Sequence, residues 1–133
     1  MSSGIETRTT RGAAGMTRVQ RHLLLCATPT KPLCCDPAVG LASWSRLKTL
    51  LRERGLEDPA RPEGVVYRTK ADCLRICSGG PILMIWPDGV VYGSVTPERM
   101  ERIVVEHLIG GVPIEAWIVA RNHFTPQENS QPH

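Results

Sequence analysis

Ile82-Leu-Met-Ile-Trp-Pro-Asp-Gly-Val-Val-Tyr-Gly-Ser-Val95 is the stretch that decides the fold. Two β-prone runs, Ile82–Trp86 and Val90–Val95, are joined by Pro87-Asp-Gly89. Asp-Gly between such runs is a strong hairpin signal, so the two runs are expected to pair antiparallel. Thr96-Pro97-Glu98 follows at once and reads as a helix start, with Thr as N-cap, Pro at the first helical position and an acid in the first turn. Met100, Ile103, Val104 and Leu108 then form an apolar stripe that ends at Gly110-Gly111.

Upstream, Arg21-His-Leu-Leu-Leu-Cys26 is a short apolar run, expected to be a buried strand that ends at its cysteine. Residues 27–40 contain Pro29, Pro32 and Pro37, each of which removes a backbone donor and fixes φ, so an irregular loop is expected there. Leu41, Trp44, Leu47, Leu50 and Leu51 recur at helical spacing, with Gly55 as a stop, which gives a helix of about four turns. Val65-Val-Tyr-Arg-Thr69 reads as a second strand, and a short segment with Cys73 and Cys77 leads from it to Ser78-Gly-Gly-Pro81. The fold class is α/β: a β-α-β unit followed by a β-hairpin and a C-terminal helix, the minimal thioredoxin-like arrangement. Val112–Val119 is a candidate edge segment, because Pro113 bars it from the middle of a sheet.

A chain of 133 residues, 41% of them hydrophobic, suits one domain with a real core. Residues 21–121 are expected to form it, between flexible extensions at 1–20 and 122–133 that are poor in apolar residues. Net charge is +3, and the first twenty residues hold three Arg against one Glu, so the folding part is only weakly basic. That excludes a nucleic-acid footprint, which needs Lys and Arg clustered with stacking aromatics. No apolar run approaches the ~20 residues a bilayer requires, so no membrane role is expected, and a cytoplasmic location is.

Five cysteines in a reducing compartment call for a reason other than disulfides. Cys26, Cys34 and Cys35 fall in one stretch and Cys73 and Cys77 in another, and parallel strands of a β-α-β unit bring both stretches to one sheet edge. Thiolates ligate iron in sulfide clusters, four per [2Fe–2S] unit, and they also make tetrahedral zinc sites. The spacings, C-x8-C from Cys26 to Cys35 (or C-x7-C to Cys34) and C-x3-C from Cys73 to Cys77, match neither common ferredoxin run, so ligand rules alone leave both metals open.

Several motifs occur in order around these cysteines. They are the strand ending in Cys26, the proline-rich loop with Cys35, Cys73-Leu-Arg-Ile-Cys77, Gly80-Pro81 leading into the hairpin with its Pro-Asp-Gly turn and Tyr92, and the Glu106-His-Leu108 helix end before Gly110-Gly-Val-Pro113. Over roughly residues 21–118 the chain resembles the thioredoxin-like [2Fe–2S] ferredoxins. The resemblance implies a [2Fe–2S] cluster held by Cys26, Cys73, Cys77 and one cysteine of the loop. Cys35 is favoured as the fourth ligand because it adjoins the segment leading into the helix, with Cys34 as the alternative. The resemblance further implies a homodimer and one-electron transfer between redox partner proteins, without substrate turnover by the chain itself. Trp86 and Val91 stand where related sequences more often show Tyr and Trp, which bears on surface packing rather than on chemistry.

Two other readings compete. One is a structural zinc module with four cysteine ligands. The other is a thiol-based redox protein on the same scaffold, which the lack of C-x-x-C and the strain of a vicinal Cys34–Cys35 pair disfavour. His22 and His107 are assigned packing or surface roles, and Trp44, Trp86 and Trp117 core or contact roles. Lys31 and Arg75 lie between the candidate ligands in sequence, where they can offset an anionic cluster.

Overall fold

The computed structural model describes residues 18–27, 36–72, 74 and 79–122. Its elements run β1 (Val19–Cys26), α1 (Pro37–Glu53), β2 (Val65–Ala71), β3 (Leu83–Trp86), β4 (Val90–Tyr92), α2 (Pro97–Arg102, running on as a π-helix over Ile103–Ile109), a 3-10 turn (Glu115–Trp117) and β5 (Ile118–Arg121). One sheet has the strand order β2-β1-β3-β4-β5, with β1 and β2 parallel and the other pairs antiparallel. This is the expected β-α-β unit with its hairpin and final helix.

Alternation in the strands sorts the two faces of the sheet. Leu23 and Leu25 of β1, Leu83 and Ile85 of β3, and Val90 and Tyr92 of β4 share one core with Leu47, Leu50 and Leu51 of α1 and Met100, Ile103, Val104 and Leu108 of the second helix. Both helices therefore cover the same face. Cys26, Ile82 and Val91 form a separate small cluster, with Leu74 and Met84 packed against it.

Three expectations need correction. Helix α1 starts at Pro37, not near Leu41, so residues 37–40 are helical. Proline at the first helical position gives up an N–H that the helix would leave unpaired anyway, and Asp36 caps the end by accepting a hydrogen bond from the Ala38 N–H at 2.9 Å. The second helix keeps its predicted apolar stripe but widens into a π-helix from Ile103. Third, the edge strand is Ile118–Arg121, downstream of Pro113, with the Trp117 indole lying under the guanidinium groups of Arg99 and Arg102 at 4.4 and 5.0 Å. Of the other tryptophans, Trp44 is buried in the helix-side core. No described helix is long and apolar enough to cross a membrane.

Candidate functional site

At the C-terminal edge of the parallel pair, the register sets Cys26 beside Ala71, two residues before Cys73. The Cys26 N–H donates to the Ile82 carbonyl at 3.0 Å and the Ala27 N–H to the Ala71 carbonyl at 3.2 Å, so neighbouring segments on both sides fix this end of β1. The Cys26 thiol lies 3.5 Å from the Asp72 carbonyl oxygen. Its cluster with Ile82 and Val91 is distinct from the helix-side core, so the thiol points to the face that the helices leave uncovered.

The start of α1 lies at the same edge. Asp36, the α1 cap, directly follows Cys35. A Cβ added to Gly40 would sit 2.5 Å from the Ala27 carbonyl oxygen, so the first turn of α1 presses on the residue that follows Cys26. Only glycine allows that approach. On the other side, the Gly79 carbonyl accepts a hydrogen bond from the Ser94 N–H at 2.6 Å and the Pro81 carbonyl one from the Val95 N–H at 3.0 Å. Ser94 turns the chain there with φ at +50°, and the Ser43 hydroxyl ties α1 to this loop by donating to the Val95 carbonyl at 2.6 Å.

Of the candidate ligands, Cys26 stands at this edge. Cys34, Cys35, Cys73 and Cys77 lie outside the described residues, as do Lys31 and Arg75. Among the described residues no group of three or more His, Cys, Asp or Glu side chains is placed to hold a metal ion. His22 is bonded to the Thr69 hydroxyl at 2.7 Å, away from that edge.

The opposite end of the sheet holds a polar cluster that the sequence reading missed. Asp88, read only as a turn former, accepts both carboxylate hydrogen bonds from the Arg21 Nε at 3.1 Å and a third from His107 Nε2 at 2.8 Å. Arg21 Nη1 also donates to the Leu108 carbonyl at 3.0 Å. The Tyr92 hydroxyl bonds His107 Nδ1 at 2.9 Å and accepts from the Ile114 N–H at 2.9 Å. His107 and Tyr92 are fully buried. Spacing carried a signal for His107, which stands four residues after Ile103 and three after Val104, within the apolar stripe.

Environment sets the charges in this cluster. Burial pushes the His107 imidazole below its ordinary value, and its bond to Asp88 only partly offsets that. Burial alone would raise the Asp88 carboxyl, but its bonds to His107 and Arg21 and their charges outweigh it and hold it below the usual aspartate value. Burial raises the Tyr92 phenol.

No family model matches the chain. It is 42% identical over 53 residues to a 2Fe-2S ferredoxin of Aquifex aeolicus, a match covering 40% of this chain and 48% of that one. A 2Fe-2S ferredoxin of Clostridium pasteurianum is 49% identical over 39 residues, covering 29% of this chain and 38% of the other. The matches thus span about half or less of the length of these curated relatives. Among solved structures, a thioredoxin-like [2Fe-2S] ferredoxin from Aquifex aeolicus superposes with a TM-score of 0.63 at 25% identity, over 78% of this chain and 94% of that one.

Proposed function

We propose, from the chain's kinship with the thioredoxin-like [2Fe–2S] ferredoxins, that it is a one-electron carrier holding one [2Fe–2S] cluster through Cys26, Cys35, Cys73 and Cys77. The observation that carries this reading is the convergence at one sheet edge. Cys26 ends β1, its neighbour Ala71 ends β2 just before Cys73, and Gly40 brings the start of α1, next to Cys35, against Ala27. Four thiolates, one from the end of β1 and three from the two segments that follow β1 and β2, suit the two tetrahedral irons of such a cluster. When bound, a [2Fe–2S] cluster supplies a centre that takes up and gives back one electron.

The chain's own residues do the rest. Cys26 sits on a strand held by backbone hydrogen bonds on both sides, so its thiolate is presented from a fixed position. Ile82, Val91, Leu74 and Met84 surround it with hydrocarbon, which keeps water from the inner side of the site and bears on its potential. Lys31 and Arg75, between the ligands in sequence, add positive charge that offsets an anionic group and favours encounter with redox partner proteins. The chain acts as a carrier without substrate turnover of its own, as a homodimer, in the cytoplasm, whose reducing conditions keep ligand thiols available.

Iron and inorganic sulfide analysis of anaerobically purified protein tests the reading, with two of each per chain and a brown colour expected. Stoichiometric zinc in protein made with ample iron would instead establish the structural zinc module.

A further inference from the structure

The buried cluster at the far end of the sheet links the C-terminal arm, residues 112–121, to the body of the protein through a short series of hydrogen bonds. A phenol has one hydrogen to donate. His107 Nε2 faces the Asp88 carboxylate, which can only accept, so the proton of the neutral ring sits on Nε2. Nδ1 is then bare and accepts the Tyr92 hydrogen, while the Tyr92 oxygen accepts from the Ile114 N–H. Every group is satisfied only with a neutral imidazole. A proton taken from solvent onto Nδ1 would aim two N–H groups at the phenol oxygen and leave the phenolic hydrogen without its acceptor in a fully buried site.

The charges around the ring do not relieve this. The Asp88 carboxylate from the hairpin turn is already matched by Arg21 of β1, and Arg121 of β5 adds a second repulsive cation. Glu115 of the 3-10 turn is held by Arg121 through a two-fold contact at 3.2 and 2.9 Å. Tyr92 of β4 offers the ring only its hydroxyl.

We propose that His107 is a buried latch for the C-terminal arm. Neutral, it lets Tyr92 hold Ile114; protonated, it withdraws the acceptor of the Tyr92 hydroxyl, and the arm leaves β4 while the rest of the sheet stays paired. The other described ties of the arm to the body are the Val112 N–H to the Glu106 carbonyl at 3.0 Å, the Gly93 N–H to the Trp117 carbonyl at 3.2 Å, the Asn122 N–H to the Gly89 carbonyl at 2.7 Å, the short β4–β5 ladder, the packing of Ile114, Trp117 and Ile118 on the core, and Trp117 under its two arginines.

Hydrogen exchange on the full cluster-bearing chain tests this, corrected for the chemical exchange rate at each pH. The amide of Asn122, bonded to Gly89 at the hairpin-turn end, should open more often as pH falls, by up to about tenfold per unit below ~6.5, because the open arm binds the proton that the closed arm refuses. The amides of Cys26 and Ala27, at the cysteine end, should not change. That contrast also separates latch opening from loss of the cluster, which would loosen the cysteine end first. His107→Gln, whose carboxamide can accept from Tyr92 and donate to Asp88 but cannot titrate, should hold the arm closed above and below pH ~6.5 alike. Equal acceleration at both ends, or a pH response that persists in His107→Gln, would overturn the latch. If that variant does not fold, wild-type protein still decides: the titration midpoint of the His107 ring must follow the exchange of the Asn122 amide, and two unrelated midpoints would refute it.

Discussion

The two ends of the sheet are built by different means. At the cysteine end, backbone groups do the holding: Cys26 to Ile82, Ala27 to Ala71, Ser94 to Gly79, with Gly40 pressed on Ala27. At the other end, side chains do it, with Arg21, Asp88, His107 and Tyr92 in one buried network. A scaffold held mainly through its main chain does not depend on thiolates for its own stability, whereas the side chains of Arg21, Asp88, His107 and Tyr92 are committed to one another.

The sharpest way to break this contrast is to remove one thiolate. Cys26→Ser should abolish iron and sulfide occupancy while circular dichroism still shows a folded chain, and Cys35→Ser should cost far more occupancy than Cys34→Ser. The reverse order of losses would move the fourth ligand by one residue.

Asp88→Ala attacks the other end. It strands Arg21 and a buried His107, and denaturant unfolding should record a loss of about 3 kcal/mol, as for a broken buried pair. The iron content of the protein that remains folded should match the parent. Gly40→Ala should cost less, about 1–3 kcal/mol from overpacking against the Ala27 carbonyl, but lower cluster occupancy as well, because the strain falls beside Cys26 and Cys35.

Acid sharpens the contrast with a smaller effect. The His107 value is depressed in the fold, so the unfolded chain binds its proton first, and stability falls as pH drops below ~6.5 by at most ~1.4 kcal/mol per unit. Asp88, depressed as well, loses its contribution only further down, as pH falls below its ordinary value of 3.8. A midpoint of urea unfolding that stays constant from pH 7 to pH 5 would show that His107 is not buried neutral. The smallest effect belongs to the surface: Lys31→Glu or Arg75→Glu should change the rate of reduction by a partner reductase without altering stability, and the difference should shrink as salt is added.

Much of the fold was legible because its signals are local. Asp88-Gly89 announced the hairpin, Thr96-Pro97 the second helix, and the run ending in Cys26 the central strand. Pro37 misled, since proline breaks a helix from within but opens one at its first position. The cysteine pairs pointed to a metal site by composition, and spacing does not choose between Cys34 and Cys35 as the proposed fourth ligand. The Arg21–Asp88–His107–Tyr92 network was invisible for another reason. Its members are up to 86 residues apart, from Arg21 to His107, and each has an ordinary local role that hides the shared one.

The strand order has a consequence for how the chain is made. β1 is complete at Cys26, but it lies between β2 and β3, and β3 ends only at Trp86, 60 residues later. At ~5–20 residues per second, the ribosome needs ~3–12 s to deliver that second flank. Throughout this interval the first cysteine sits on a strand with at least one open side, so the seat for Cys26 is finished well after the residue itself has been synthesised.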